Sequence, residues 1–250
     1  MSTPEATPRG PAELKPFPVD PEVMAAIRPT QPRDVSRLAA LHRAAMGSSL
    51  WAQLGTPFLM ALYTALLEQP TFISFVYEEG GRVRGFIAGT EDAGQMFRGV
   101  LKQHGQTLLL PTVRGVMQTP ELLRPLLSTP RYFTRTRPQT DTARASGHAL
   151  HPPDIKAESL FCSFEPDLRG KRISGHINKV LFDELRARGH AHVKISTDKD
   201  NEGAVRQLLS WGFEQVSTFE FYGKPMRLFV LDLLQSPRVE PISRHPQPRR

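Results

Sequence analysis

The segment Glu158–Phe164 (ESLFCSF) runs without a spacer into Glu165-Pro166-Asp167-Leu168-Arg169-Gly170-Lys171-Arg172-Ile173-Ser174, which opens a helix reaching Arg188. The first segment has large apolar groups at Leu160, Phe161 and Phe164 and reads as a strand. In the last, Ile173, Ile177, Val180, Leu181 and Leu185 recur at helical spacing, and Gly189 follows as a terminating glycine. A strand that turns directly into a helix leaves several amide N–H groups unpaired at the helix start. Together with the helix dipole they form an anion site. A diphosphate would fit there, with Arg169, Lys171 and Arg172 adding positive charge. Taken by itself, the loop is better explained as an ordinary strand-to-helix turn carrying exposed basic residues.

The rest of the chain sets this unit in a larger order. Residues 1–22 are proline-rich and are expected to be a disordered lead, as is the tail at 236–250. A single domain is expected over 23–235. Ala25–Arg28 reads as a short first strand. Asp34 offers an N-cap for a helix carrying Val35, Leu38, Leu41 and Ala45, and a second helix runs from about Pro57 to Leu67. Thr71–Tyr77 and Val83–Gly89, joined at Gly80-Gly81, form a hairpin. Residues 95–156 read as a basic insertion. It is helical in short pieces broken at Pro111, Pro120, Pro125 and Pro130, then a polar loop from Arg137 to Pro153. After the central unit come a strand at His192–Thr197, a helix from Asn201 to Trp211 closed by Gly212, and strands at Phe213–Phe221 and Met226–Leu233. This alternation implies an α/β sheet with helices on both faces.

Charge and composition narrow the function. The net charge is +7. Between Gln95 and Lys156 nine basic residues face three acids, which accounts for most of the excess. Such a field attracts anions, although a merely solvated basic surface gives the same count. Cys162 is the single cysteine, so no intrachain disulfide is possible and a reducing cytoplasm is the expected setting. No apolar run is long enough to span a bilayer, and no basic-then-apolar leader is evident. No CxxC or HExxH spacing suggests a metal. No aromatics interleave with the basic residues, so nucleic acid ranks last among the partners considered.

Three groups of residues, taken in order, resemble the GNAT superfamily of N-acetyltransferases. Its loop motif Gln/Arg-x-x-Gly-x-Gly/Ala is matched by Arg169, Arg172 and Ser174. Its Asn-x-x-Ala helix ending in Gly-Phe is matched by Asn201, Ala204, Gly212 and Phe213. The opening Ile27-Arg28-Pro29 also agrees. The resemblance covers roughly Glu158 to Asp232, with weaker support from Ala25 to Gly89. It implies the acyl-CoA N-acyltransferase fold: a mixed, mostly antiparallel central sheet with helices on both faces, here with a helical insertion. It also implies acetyl-CoA as co-substrate and no metal. The backbone of Cys162, Ser163 and Phe164 would pair with pantetheine. Arg169, Gly170, Lys171, Arg172, Ile173, Ser174 and Gly175 would hold the diphosphate, and Asn201 would join the cofactor site. Two residues depart from the family: Arg172 replaces the first loop glycine, and Leu208 stands where many members carry a tyrosine.

Amine chemistry assigns the remaining roles. A protonated amine cannot attack a thioester, so a site must remove a proton, position the nitrogen and stabilise an oxyanion. Glu158, acting through water, and Asp198 are the candidate bases. The Phe164 amide is the candidate oxyanion donor and Tyr222 the candidate acid. Each has a plainer alternative: Glu158 as a solvated strand end, Asp198 as a cap for the helix at Asn201, Tyr222 as packing. His176 and His190 read as helix-surface residues, Cys162 and Trp211 as packing. The expected reaction moves an acetyl group to a primary amine of a small molecule, and an amino sugar or nucleotide-linked sugar suits the basic insertion. Alternatives are a protein or peptide N-acetyltransferase, or a non-catalytic acyl-CoA-binding regulator. A monomer or homodimer without a membrane span is expected.

Overall fold

In the computed structural model, residues 14–124, 126–127, 154–221 and 223–239 are described. Among them a sheet of seven strands has the order β1-β2-β3-β4-β5-β7-β6. The strands are β1 (Ile27–Pro29), β2 (Phe72–Glu79), β3 (Arg82–Thr90), β4 (Glu158–Phe164), β5 (His192–Asp198), β6 (Glu214–Phe221) and β7 (Lys224–Asp232). Only β4 with β5 is parallel; every other neighbouring pair is antiparallel. The sheet is thus mixed and mostly antiparallel. The helices are α1 (Pro21–Ala25), α2 (Val35–Ala45), α3 (Leu50–Gln53), α4 (Thr56–Leu67), α5 (Ala93–Gln118), α6 (Ile173–Ala187) and α7 (Glu202–Trp211).

The alternating pleat distributes β2 between two cores. Ile73, Phe75 and Tyr77 join Ile177, Leu181, Leu185, Trp211 and Phe213 beneath α6 and α7. Phe72 and Val76 join Leu38, Leu59, Leu62, Tyr63 and Phe86 beneath α2 and α4. Both faces of β2 are therefore buried, which explains why TFISFVY reads as a continuous apolar run rather than an alternating one. Helices cover both faces of the sheet, and the insertion begins with α5, packed on α4.

Four expectations about local structure need correction. The first strand starts at Ile27, because Asp20 caps a helical turn over Pro21–Ala25, accepting from the amides of Glu22 and Val23. Asp34 makes no capping bond to α2. Its carboxylate instead grips the Arg28 guanidinium at 2.7 and 2.9 Å and accepts from the Gln31 amide at 2.8 Å. Burial opposes its charge, yet Arg28 and the Gln31 amide hold its pKa below the usual range. The helix over 93–118 is one piece that passes through Pro111. Proline removes one amide donor and costs a few kcal/mol in isolation. Here α5 is held along its length: a Cβ on Gly115 would lie 2.6 Å from the Leu54 carbonyl oxygen, so the two backbones touch. Pro120 opens a 3₁₀ turn after α5; Pro125, Pro130 and the loop at 137–153 lie outside the described residues.

The lead is the fourth. Packing begins before residue 23. Phe17 stacks on Trp211 with centroids 5.1 Å apart and meets the His176 ring edge-on at 5.0 Å. The Asp20 amide donates to His176 Nε2 at 2.9 Å. His176 is therefore buried rather than on the helix surface. After residue 235, Val239 is buried and the Arg238 carbonyl accepts from Lys179 Nζ at 3.1 Å. Both segments cover the outer side of α6, where Phe182 and Trp211 would otherwise face water. Phe17→Ala is expected to lower stability by about 2 kcal/mol in urea unfolding, less than a fully buried phenylalanine because Phe17 is half-exposed. No loss would mean the lead does not pack in solution.

Candidate active site

The site is built where β4 and β5 part. Each is seven residues long, yet they pair only at Glu158↔Lys194 and Ser159↔Ile195. Beyond that point β5 stays with β7 as far as Asp198↔Met226, and β4 stays with β3 as far as Gly85↔Phe164. The register between β3 and β4 shifts once, leaving Leu160 as an extra residue in a bulge. The Glu165 amide donates to the Arg84 carbonyl at 2.9 Å. In an antiparallel ladder the alternate residues then point their N–H groups the other way. The amides of Cys162 and Phe164 accordingly face the opening between the strands.

At the wide end of this opening the chain turns into α6. The Lys171 amide bonds the Leu168 carbonyl and the Gly175 amide bonds the Arg172 carbonyl. Among the described residues, the amides of Gly170, Arg172, Ile173 and Ser174 find no acceptor. Gly170 has φ 80° and Arg172 has φ 58°, ψ 7°. Arg172 is the one non-glycine residue with positive φ among those described. It thus adopts the left-handed conformation that glycine would take without strain, which for an L-residue costs about 1–2 kcal/mol. Arg169, Lys171 and Arg172 are all exposed around this cradle. A cavity of about 340 Å³ adjoins it, lined by Phe17, Arg172, Ser174, Trp211 and Arg238 among others.

The loop is tied down by charge. Glu165, its first residue, accepts from Arg84 Nε at 2.7 Å, from Arg82 at 2.5 Å, and from Arg37 of α2. Arg84 also bonds Asp167 and Glu79. The bond to Arg84 holds the carboxyls of both Glu165 and Asp167 below their ordinary range. Nothing local in the sequence pairs residues this far apart, and the cluster was not anticipated. The Arg82-Val83-Arg84 stretch opposite the acidic Glu165-Pro166-Asp167 was the available signal.

At the closed end, Glu158 lies 3.9 Å from Lys194 Nζ, with 22% of its side chain exposed. Burial pushes its pKa up, and Lys194 partly opposes that rise. Cys162 packs against the α6 core, and burial pushes its thiol up to about 12, away from the thiolate form that a nucleophile uses. Asn201 caps α7, its side chain accepting from the Ala204 amide at 3.1 Å. Asp198 is not that cap; it accepts from the Asp200 amide at 3.2 Å. The Gly175 amide bonds within the helix start, and a Cβ there would come within 2.7 Å of the Phe17 ring. Leu208 and Trp211 are core residues, and His190 bonds Glu91 at 3.1 Å. Tyr222 lies outside the described residues. Next to it, Lys224 reaches Ser48 in the loop after α2, at 3.2 Å from the hydroxyl. Behind Phe161, buried His42 lies 2.7 Å from the Tyr63 hydroxyl, and burial lowers its pKa to about 4. Sequence reasoning passed over His42 because one histidine on an apolar helix face carries no distinctive signal.

Among the described residues, no group of three or more His, Cys, Asp or Glu side chains is placed to hold a metal ion, and no helix is long and apolar enough to cross a membrane.

Comparison with known proteins identifies the fold. No protein-family profile matches the chain. Over 61 residues it is 31% identical to mycothiol acetyltransferase of Brachybacterium faecium, a stretch covering 24% of this chain and 18% of that protein. Among solved structures, SsHAT matches with a TM-score of 0.57 at 15% identity, covering 83% of this chain and 97% of that one. An N-acetyltransferase from Staphylococcus aureus Mu50 matches at 0.51 and 16% identity, over 82% and 96% of the two chains. The ribosomal-protein-alanine N-acetyltransferase of Brucella melitensis matches at 0.51 and 15%, over 83% and 99%. The chain has the fold of the GNAT acetyltransferases. The curated relative is matched over less than one fifth of its length.

The strain at Arg172 gives a direct test. Arg172→Gly is expected to raise unfolding free energy by about 0.5–1 kcal/mol, and Arg172→Val to lower it by about 1–2 kcal/mol. Equal stability of the two variants in urea titrations would mean the loop does not hold this conformation.

Proposed function

We propose that the protein is an acyl-CoA-dependent N-acetyltransferase that moves an acetyl group from acetyl-CoA to the primary amine of a small molecule. The observation that carries this reading is the joint placement of the β4–β5 opening and the four free amides at the start of α6. The opening offers backbone donors to an extended amide-bearing arm. The amides offer a preformed cradle for a diphosphate, with Arg169, Lys171 and Arg172 around it. Coenzyme A has both parts, joined in that order. The residues present fit it.

The acetyl thioester would lie along β4 with its carbonyl oxygen toward the Phe164 amide, which would stabilise the oxyanion as the amine nitrogen forms its bond to carbon. Glu158 would accept the proton of the ammonium through water from the closed end of the opening. The C–S bond then breaks and the thiolate of CoA leaves, with Tyr222 or water supplying its proton. The burial that raises the Glu158 pKa suits a base working nearer neutrality. Charge supports an anionic amine as the acceptor, such as a phosphorylated amino sugar or a nucleotide-linked sugar, since α5 carries Arg98, Lys102 and Arg114. Leu208 occupies the core where family members carry a tyrosine, and this favours a second reading, a non-catalytic acyl-CoA-binding protein.

Release of free CoA thiol from acetyl-CoA, measured across amines that include phosphorylated and nucleotide-linked amino sugars, separates the two. The enzyme reading expects amine-dependent release; tight binding without release across the panel supports the second. Glu158→Gln is expected to lower kcat about 10²-fold or more while leaving acetyl-CoA affinity unchanged. Since a base must be ionised and this carboxyl holds its proton more tightly than usual, wild-type kcat/KM should rise with pH above the ordinary glutamate range. That acidic limb should vanish in Glu158→Gln; an unchanged profile removes Glu158 from the mechanism.

A further inference from the structure

The cavity of about 340 Å³ beside the start of α6 is built from segments far apart in the chain. Phe17 and Pro18 come from the lead, Arg172 and Ser174 from the cradle, Trp211 from the end of α7, and Arg238 from the chain beyond β7. Its volume falls within the ~300–1,000 Å³ of small-ligand sites. The wall around Arg238 is held from α6. Lys179 Nζ donates to the Arg238 carbonyl at 3.1 Å, and Arg186 Nη1 donates to the Val239 carbonyl at 2.8 Å. The Arg238 guanidinium then lies over the Trp211 ring, 5.9 Å from its centre, and Phe17 stacks on the same ring. The positive charge here is unanswered. Arg238 Nε is buried and makes no hydrogen bond. Among the described residues no carboxylate pairs with Arg238 or with Arg172. Partly buried arginines elsewhere, Arg28, Arg37, Arg84 and Arg188, each reach at least one carboxylate. The Trp211 ring attracts the cation but offers Nε no oxygen. A buried donor without an acceptor is costly, and an anionic ligand in the cavity removes that cost.

We infer that Arg238, with Arg172, holds the 3′-phosphate of the coenzyme A whose diphosphate the α6 amides grip, and that the purine lies against Phe17 and Pro18. The inference rests on the acetyl-CoA reading above. It extends that reading to a part of the ligand that the β4–β5 opening and the cradle leave unassigned. In coenzyme A the 3′-phosphate is one ribose away from the diphosphate. Arg172 and Ser174 belong both to the cradle and to the cavity wall, so the two sites adjoin as that connection requires. A phosphate monoester is largely dianionic near neutrality and suits a pair of guanidiniums. A ribose hydroxyl in its place would leave both charges unanswered. Arg238 is therefore a specificity-determining residue, selecting coenzyme A over its 3′-dephospho form. The packing of Phe17 on Trp211, and of residues 238 and 239 on α6, thereby shapes a ligand wall as well as covering the core.

Calorimetric titration of the full chain with acetyl-CoA, 3′-dephospho-acetyl-CoA and adenosine 3′,5′-bisphosphate, for the wild type and for Arg238→Met, tests the inference. Methionine keeps an apolar stem against Trp211 and removes the charge. The wild type should bind acetyl-CoA about tenfold or more tightly than the dephospho form, and should bind the bisphosphate, which has no acetyl arm. Arg238→Met should lose about tenfold for acetyl-CoA and for the bisphosphate while its affinity for the dephospho form holds. Arg238→Lys should recover part of the loss. A merely structural role for Arg238 would weaken all three ligands alike, and that result overturns the proposal. Equal wild-type affinity for acetyl-CoA and its dephospho form overturns it as well. Arg238-dependent binding of the bisphosphate, in a protein that releases no CoA thiol with any amine, upholds the 3′-phosphate site and removes the transferase reading alone. Failure of all three ligands to bind the wild type removes both.

Discussion

Two parallel strands that pair for two residues and then separate are the constraint from which the rest of this structure follows. A buried backbone amide without a partner is costly, so strands in a sheet interior do not part without some replacement for the lost ladder. Here the separation is held from both sides. β5 is zipped along its full length to β7, and β4 to β3 through a bulge at Leu160. The gap that results aims the amides of Cys162 and Phe164 at a space rather than at a neighbouring strand. In the proposed enzyme that space is filled by the pantetheine arm, which completes the ladder.

The anion cradle depends on the same parting, since the loop leaves β4 at the wide end. Its shape requires a left-handed residue at position 172, and the chain uses arginine there instead of glycine. The strain is sustained by what surrounds it. Glu165 is pinned by Arg37, Arg82 and Arg84, and His176, one turn into α6, accepts from Asp20 while its Nδ1 lies 2.9 Å from the Arg172 carbonyl. Charge on one side and the packed lead on the other thus hold a loop whose own conformation is unfavourable.

Much of this was legible in the sequence because it is local. Apolar patterning placed β4 at Glu158–Phe164, as observed, and α6 and α7 to within a residue. The seven-strand sheet with its helical faces followed from the order of the segments. The resemblance implied that the β4 backbone pairs with pantetheine, but nothing in the strands' own residues showed that β4 and β5 part. What escaped notice is long-range. Glu165 meets Arg37 across 128 positions and His176 meets Asp20 across 156, and neither pair leaves a local pattern. Pro111 and Asp34 misled for a related reason. A proline's local cost was outweighed by the contact of Gly115 with Leu54, and an N-cap aspartate was captured by Arg28. Among the site residues, Asn201 matched a motif but caps α7, and Gly175, assigned to the diphosphate by the resemblance, packs against Phe17.

The central claim is that the free amides at the start of α6 grip a diphosphate. Amide chemical shifts followed by ¹⁵N-resolved NMR during titration with acetyl-CoA, and separately with S-acetylpantetheine, test it most directly. The account predicts that the amides of Gly170, Arg172, Ile173 and Ser174 move strongly with acetyl-CoA and stay in place with S-acetylpantetheine, which has no diphosphate. Equal responses to the two ligands, or acetyl-CoA shifts that leave these four amides untouched, would contradict it.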